Sequence, residues 1–305
     1  MPVYNGGAYI KAALDSILAQ TFGDFELIIS DNASTDTTEG ICRDYVAKDR
    51  RVRYVRNDAN IGASQNFNRA FQLASGRYFR WAAYDDVLAP DFLVACAKVL
   101  DRDDSVVLCY ANTARIDENG HVTGEYPFDN KAVFDSKKAT ERFREVIDIR
   151  HWNMAFYGLV RAEALRNTRL LEGYVGSDRT LTAELSLLGR LYKIPELLFF
   201  RREHADASTQ KIKVPQERYS WFETGTTGRI CFPNWRYGVE FIRSVRRSPL
   251  QLTDRYACYG HIMVWYVKRR GWLFNDLKYA ARQFMLRYAA GRTILRIRRK
   301  TLGSL

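Results

Sequence analysis

Two acidic turns are the first candidates for chemistry in this sequence. Asp85 and Asp86 end the apolar stretch "WAAYDD", and Asp31 directly follows the apolar stretch "FELIIS". Neighbouring carboxylates repel each other and burial disfavours their charged forms, so an apolar segment that leads into two aspartates needs a physical reason. A divalent cation supplies one, because Mg²⁺ or Mn²⁺ is commonly held by one or two carboxylates together with the oxygens of a diphosphate.

Helix capping is the competing interpretation of these turns. Pro90 is typical of a helix start, and ahead of it Asp85 would be an N-cap and Asp86 a residue favoured by the helix dipole. For Asp31 the alternative is turn chemistry, since Asp, Asn and Ser all favour loops. Because two such turns are expected at the same edge of one sheet, we favour cation binding over capping and turn chemistry.

Alternating helices and strands are predicted to position these carboxylates. Helical patterns begin at residues 10, 36, 63 and 91, and strand-like runs cover 25–30, 52–56, 77–83 and 106–111. This order predicts an α/β fold with a mainly parallel sheet flanked by helices, which binds ligands at the carboxyl ends of its strands. Asp31, Asp85 and Asp86 each follow a strand and are therefore expected along one rim.

The charge of the chain is divided unevenly. The 305 residues carry a net charge of +12, but residues 211–305 alone hold 20 Lys and Arg against 5 Asp and Glu. We therefore predict a catalytic domain over 1–210 and a basic, helical region over 211–305. The start of the chain does not resemble a signal peptide, so a cytoplasmic location is expected.

Four segments resemble successive signatures of family 2 glycosyltransferases, which have a GT-A-type nucleotide-diphospho-sugar fold. The resemblance extends to about residue 210 and is carried by "PVYNGGAYIKAALDSILAQTF", "LIISDNASTD", "NIGASQNFNRAFQLASGRYFRWAAYDD" and "PDFL". It implies a nucleotide-sugar site whose positions are Pro2, Tyr4 and Asn5 in the nucleoside loop, Asp31 at the base, Asn60 and Gly62 in a turn near the nucleotide, Asp85 at the ribose and Asp86 at the metal.

Three features depart from the family pattern. Asn32 stands where a second Asp is common, and Ala83 stands where the fuller acidic motif begins, so lower metal affinity is expected. Met1 immediately precedes Pro2, where the family has an apolar strand. The first strand is therefore expected to be truncated or the start codon misassigned, and a version extended upstream should melt at a higher temperature.

The acceptor side needs a base that takes a proton from the attacking hydroxyl. Asp178 opens a helical pattern and resembles the family's catalytic aspartate, while Glu184 is a weaker alternative. An N-cap role is the structural alternative for Asp178, and Ser177 would serve as well.

A third group of polar residues follows the apolar run "LLFF". Arg201, Arg202 and His204 could stabilise the charge that grows on the leaving diphosphate, or His204 could complete the metal shell. The plain alternative is a surface loop, but the segment resembles the family's "R-x-H" segment.

The basic tail interleaves aromatic and cationic residues. Ala281, Phe284, Met285 and Tyr288 share one helical face, which would either pack on the catalytic domain or lie on an anionic membrane. No nucleic-acid recognition motif accompanies the charge, so no nucleic-acid partner is expected.

The sequence thus predicts a metal-dependent, inverting glycosyltransferase that uses Mn²⁺ or Mg²⁺ and moves a sugar from a nucleotide-diphospho-sugar to a hydroxyl acceptor. The acceptor would be a glycan or a lipid-linked molecule of cell-surface polysaccharide or glycolipid synthesis, and the enzyme would be cytoplasmic or peripheral at the inner face of the membrane. Two rivals remain: a sugar-1-phosphate nucleotidyltransferase, which lacks support from any glycine-rich phosphate loop, and a catalytically silent nucleotide-sugar scaffold.

Overall fold

A computed structural model describes residues 1–126, 134–148, 153–207, 221–222 and 232–285. Strands and helices alternate along the chain, as predicted. The strands are β1 (Pro2–Val3), β2 (Leu27–Asp31), β3 (Val52–Arg56), β4 (Tyr78–Phe79), β5 (Val87–Leu88), β6 (Val106–Ile116), β7 (Val122–Glu125), β8 (Leu159–Arg161) and β9 (Arg190–Arg202). The helices are α1 (Ile10–Leu18), α2 (Thr38–Lys48), α3 (Ala63–Gln72), α4 (Phe92–Arg102), α5 (Ala139–Ile147), α6 (Ala162–Arg166), α7 (Ser177–Leu188), α8 (Pro233–Arg247), α9 (Leu252–Lys268) and α10, described over 270–285, with a 3₁₀ helix at Met154–Tyr157.

The first sheet has the order β1-β2-β3 and is parallel throughout. All five residues of β2 are buried, as expected for a central strand covered on both faces. Its register places Asp31 opposite Val3 on one side and Arg56 on the other. The carboxyl ends of these three strands therefore meet at Asp31.

The second sheet has the order β4-β8-β6-β9-β5, with β7 added to β6. Only the long pair β6 and β9 is parallel, and the other pairs are antiparallel. The α/β prediction is correct, but the strands form two sheets rather than one mainly parallel sheet. Apolar runs predict that a segment is a strand and carry no information about its direction, which explains the difference.

A cavity of about 640 Å³ lies between the two sheets. Its walls include Met1, Leu27 and Ile28 from the first sheet and Tyr78 and Phe79 from the second. The effect of an upstream extension on stability stays a prediction.

The C-terminal helices share a hydrophobic core with the preceding part of the chain. Phe241 of α8 and Trp265 of α9 belong to the same buried cluster as Phe143 of α5 and Leu181 of α7. The predicted boundary between 210 and 211 lies outside the described residues, so the domain division stays a prediction. Among the described helices, none has both the length and the apolar content needed to cross a bilayer.

Candidate active site

The Asp31 carboxylate sits at the end of β2 with no exposed surface. Its Oδ1 atom accepts hydrogen bonds from the Ser34 backbone N–H at 2.9 Å and the Ser34 hydroxyl at 2.6 Å. Its Oδ2 atom accepts from the Tyr54 hydroxyl and from Arg56 at 2.9 Å. These four bonds use the lone pairs of both oxygens, so a base N–H would reach Asp31 only by displacing one partner.

Asn32 belongs to a buried amide network. Its Nδ2 donates to Asn60 Oδ1 at 2.8 Å, while its Oδ1 accepts from Asn57 Nδ2 at 3.0 Å and from the Ile61 backbone N–H at 2.9 Å. Asn60 also accepts from the Gly62 N–H, and Gly62 adopts a φ of 86° as it starts α3. An Asp at position 32 accepts but does not donate when ionised, which explains why this turn carries an amide.

The loop after β1 joins the two acidic turns. The Asn5 N–H donates to the Ser34 hydroxyl at 2.9 Å, and Asn5 Oδ1 accepts from the Thr35 N–H at 2.8 Å. Two residues on, Gly7 donates to Asp36 at 2.9 Å. Gly6 lies so close to Tyr84 that an added Cβ would be 2.7 Å from its ring. The Asp31 turn and the Asp85 turn therefore both adjoin the loop after β1. We call the region between these two turns the crevice, and its binding of a nucleotide stays a prediction.

Asp85 and Asp86 are not helix caps. Helix α4 begins at Phe92 with Asp91 as its N-cap residue, and Pro90 precedes that cap. The two aspartates instead lie between β4 and β5, where Asp86 is 8% exposed. The capping interpretation is therefore wrong for both, and the prediction that α4 starts with Pro90 is early by two residues.

Asp86 is held in an electrostatically unfavourable position. Burial, followed by the adjacent Asp85 carboxylate, raises the pKa of Asp86 from 3.8 to about 7. The Arg202 backbone N–H donates to Asp86 at 2.9 Å, and the guanidinium groups of Arg201 and Arg80 oppose the shift. An additional cation beside Asp86 would relieve this penalty.

His204 closes the crevice from the end of β9. Its Nε2 lies 3.0 Å from Asp85 Oδ2, its ring contacts Tyr9 with centroids 4.3 Å apart, and it is 5% exposed. Its Nδ1 is buried without a partner in the described part of the chain. The plain alternative of a surface loop is therefore wrong for His204, because its side chain is buried. An imidazole with one unpaired nitrogen beside a carboxylate is a candidate ligand.

The two arginines before His204 differ in their surroundings. Arg202 is buried and donates to the carbonyls of Asp85, Asp117 and Glu118, each at 2.9 Å. It therefore fixes the acidic turn. Arg201 donates to the Tyr126 hydroxyl at 3.4 Å and contributes positive charge near Asp86. Their binding to a diphosphate stays a prediction.

The donor set fits a cation that is shared with a ligand. In the described residues, no three His, Cys, Asp or Glu side chains are grouped as a complete metal site. Asp86 instead offers a buried carboxylate with a raised pKa, and His204 offers a ring nitrogen without a partner among the described residues. Mg²⁺ and Mn²⁺ are often held by one or two protein groups and completed by phosphate oxygens, so these residues fit such an ion.

Asp178, the predicted base, lies in the first turn of α7. The N-cap residue is Gly176, with a φ of 87°, and Asp178 accepts a bond of 3.3 Å from Asn153 Nδ2. The N-cap alternative is therefore wrong for Asp178. Asn153 also donates to Thr182 at 2.9 Å, which fixes the direction in which it meets the carboxylate.

Tyr157 links the two halves of the crevice. Burial raises its pKa, and the carboxylates of Asp86, Asp85 and Asp178 raise it further. The Tyr157 phenol therefore lies within electrostatic range of both Asp86 and Asp178.

Similarity to known proteins shows the family of this chain. The model of the family "Glycosyl transferase family 2" matches residues 1–167. This chain belongs to glycosyltransferase family 2. An uncharacterized glycosyltransferase of Methanocaldococcus jannaschii is 31% identical over 242 residues, which cover 78% of each chain.

Two further proteins that resemble this family 2 member are longer than it is. Escherichia coli chondroitin synthase is 26% identical over 78% of this chain but only 33% of its own length, so the chain spans about a third of that relative. The structure of residues 1–349 of S. aureus TarS in complex with UDP-GlcNAc has a TM-score of 0.66 at 16% identity, covering 92% of this chain and 79% of that one. The latter likeness confirms the GT-A-type fold.

Glu184 has a structural position in this family 2 member. Its side chain is 4% exposed, and its Oε1 atom accepts a hydrogen bond of 3.0 Å from Nε of Arg247 in α8. Its carboxylate is thus paired with the C-terminal helices rather than directed at the crevice, which favours Asp178 as the base.

The remaining residues that are predicted to contact the nucleotide differ in solvent exposure. Pro2 is buried in β1, whereas Tyr4 is 42% exposed and Asn5 lies at the rim. Sequence reasoning missed Tyr9, Arg80, Asn153 and Tyr157. Arg80 sits inside a strand-like run, and the others are ordinary polar or aromatic residues whose only signal is their position in space.

Proposed function

We propose that this chain is the donor-binding and catalytic part of a metal-assisted, inverting glycosyltransferase. It would move a sugar from a nucleotide-diphospho-sugar to a hydroxyl of a glycan or lipid-linked acceptor in cell-surface polysaccharide or glycolipid synthesis. The observation that supports the proposal is that the Asp31 turn and the Asp85 turn both adjoin the loop after β1, on a fold of the GT-A type.

On the donor side, the loop with Tyr4 and Asn5 and the turn with Asn60 and Gly62 would enclose the nucleoside. Asp31 would accept from the base N–H after exchanging one of its present partners, and Asp85 would accept from the ribose. The charge of Arg201 would lie near the diphosphate, while Arg202 would hold the acidic turn and line that side of the crevice.

Asp86 and His204 would hold Mn²⁺ or Mg²⁺. A bound divalent ion neutralises charge on the diphosphate as the sugar departs. The burial of Asp86 supports this role, because no described residue forms a direct ion pair that offsets its cost.

On the acceptor side, Asp178 would accept the proton of the attacking hydroxyl while Asn153 keeps its carboxylate in place. General-base catalysis of this kind typically contributes about 10²–10⁴-fold in rate. Attack from the side opposite the diphosphate leads to inversion at the anomeric carbon.

A panel of nucleotide sugars tested with Mn²⁺ for stabilisation on heating would identify the donor, because ligand binding raises apparent stability. The stabilising donor is then incubated with and without candidate acceptors. Release of nucleoside diphosphate supports the transferase. Pyrophosphate formed from a nucleoside triphosphate and a sugar phosphate would instead support a nucleotidyltransferase, and binding without turnover would support a silent scaffold.

The proposed location is cytoplasmic and peripheral at the inner face of the membrane. The basic charge of residues 211–305 supports it, as does the need to reach a lipid-linked acceptor.

A further inference from the structure

The C-terminal helices expose an unusual amount of apolar surface. Of the eighteen large hydrophobic side chains that are exposed in the described part of the chain, thirteen lie within residues 232–285. Scattered exposed apolar residues are normal, but a contiguous group is typical of an interaction site.

Helix α9 has two distinct faces. Cys258, Ile262 and Trp265 are buried in the core. The opposite face carries exposed apolar side chains at spacings of four, seven, one and three residues, which fall on one side of a helix. These residues are Leu252, Tyr256, Met263, Val264 and Val267.

Helix α10 continues this pattern. Leu273 and Ala280 are buried, whereas Phe274, Leu277, Phe284 and Met285 are exposed and share a second helical stripe with Ala281. The face predicted from the sequence at Ala281, Phe284 and Met285 therefore does not pack on the catalytic domain within the described residues, and Tyr288 lies outside them. We call the exposed residues of α9 and α10 together the C-terminal apolar face.

Cations accompany the C-terminal apolar face. Arg270, Lys278 and Arg282 are exposed on the same two helices, whereas the exposed Lys268 is paired with Asp148 at 2.7 Å. Lys278 lies over the Phe274 ring at 4.7 Å, so an aromatic anchor and a cation are adjacent. The only acidic residues of α9 and α10 in the described range are Asp254 and Asp276, and Asp276 is buried against the start of α8.

We propose that the C-terminal apolar face lies in the headgroup region of an anionic bilayer, an inference that deepens the peripheral membrane contact of the proposed function. Apolar side chains would enter the acyl boundary, and Arg270, Lys278 and Arg282 would contact lipid phosphates. No described helix spans a membrane, so α9 and α10 would lie along the surface. The bilayer would then hold the crevice within reach of a lipid-linked acceptor.

Charge favours a bilayer over a second copy of this chain. A two-fold pairing brings each residue of an interface close to its own symmetry mate or to that mate's neighbours. It would therefore set these cations against one another, whereas an anionic lipid surface attracts them.

Flotation of the full chain with lipid vesicles tests the proposal. We expect binding to vesicles of phosphatidylcholine containing phosphatidylglycerol, weaker binding at high salt, and little binding to phosphatidylcholine alone. The triple variant Arg270→Gln, Lys278→Gln, Arg282→Gln should bind roughly a hundredfold more weakly, since each cation near an anionic leaflet contributes about fivefold. Arg53→Gln, Lys98→Gln and Arg166→Gln combined, all exposed elsewhere, are the matched control.

A second variant tests the apolar side chains. Met263→Ser combined with Val267→Ser should lower vesicle affinity by about tenfold or more through lost apolar burial. Val46→Ser combined with Val94→Ser, exposed on α2 and α4, should leave affinity unchanged. Both side chains of each pair are exposed, so folding should be preserved, which melting curves verify.

Three outcomes would overturn the proposal: equal binding to neutral and anionic vesicles, no binding to either, or a dimer in solution that Met263→Ser and Val267→Ser dissociate. The donor stabilisation assay is run on the same variants. Loss of vesicle binding with intact donor binding bears on the membrane proposal alone. Loss of donor binding with intact vesicle binding bears on the proposed function alone.

Discussion

The imidazole of His204 lies 3.0 Å from the carboxylate of Asp85, across 119 positions in sequence. This contact joins the end of β9 to the turn between β4 and β5, and Tyr9 packs against the same imidazole. Three distant segments therefore form one wall of the crevice. The next residue after Asp85 is the buried Asp86, which determines the first prediction.

Asp86→Asn should stabilise the protein in metal-free buffer at about pH 8. The folded state raises the pKa of Asp86 from 3.8 to about 7, so folding favours the protonated form. This group therefore destabilises the fold increasingly as pH rises from about 4 to 7, by roughly 4 kcal/mol once the change is complete. The amide removes that penalty and still accepts from the Arg202 N–H.

Melting curves at about pH 4 and about pH 8 check this prediction. The stabilisation should be large at the higher pH and small at the lower one. Asp58→Asn, at an exposed position, serves as the control. An equal effect of Asp86→Asn at both pH values would contradict the account.

Asp178→Asn should lower the rate of sugar transfer by about 10²–10⁴-fold while preserving the fold. The amide keeps the size of the side chain but does not accept the hydroxyl proton. Steady-state assays with the donor from the nucleotide-sugar panel give the rate, and the donor KM should change little.

Glu184→Gln is the matched comparison for Asp178→Asn. It weakens the contact with Arg247, so it should lower the free energy of unfolding by about 1–3 kcal/mol with a smaller loss of rate. If Glu184→Gln abolished transfer and Asp178→Asn did not, the assignment of the base would be wrong.

Asn32→Asp should destabilise the protein by about 1–3 kcal/mol, although Asp is common here in the family. The carboxylate cannot donate to Asn60 Oδ1, and it adds a charge next to Asp31. In an Asn60→Ala background the loss should be smaller, because the unsatisfied acceptor is gone. Denaturant unfolding of the four proteins in this cycle measures the coupling, and simple additivity would count against the network.

Gly176→Ala should destabilise the start of α7 and reduce transfer. The position has a φ of 87°, and an added Cβ would lie 1.6 Å from the Tyr237 hydroxyl. The expected cost is about 1–3 kcal/mol. Gly40→Ala is the control: it lies in α2 with open space around it and should stabilise by up to about 1 kcal/mol. Unfolding curves that rank the two variants in the opposite order would contradict the packing.

The sequence predicted the parts of this structure that depend on local pattern. Helices α1 to α4 follow from apolar spacing, and the acidic turns follow from polar residues placed after strands. Strand direction was not predictable in the same way, because the antiparallel pairing of β8 with β6 depends on contacts between distant segments.

The candidate site was predictable where its residues carry a charge in a motif. Asp31, Asp85, Asp86 and Asp178 were found this way. The neighbours that set their properties were not, because Asn153 and Tyr9 are defined only by the folded positions of their side chains. The role of Asn32 likewise depends on hydrogen bonds to residues 57, 60 and 61.

Calorimetric titration with nucleoside diphosphates, with and without Mn²⁺, tests the central claim most directly. We expect one diphosphate to bind more tightly with Mn²⁺. His204→Ala should remove most of that metal-dependent gain, whereas His121→Ala, whose side chain is 80% exposed in a turn, should retain it. Absence of binding by every nucleoside diphosphate, or a Mn²⁺ effect equal in the two variants, would contradict the claim that Asp86 and His204 hold a cation against a nucleotide.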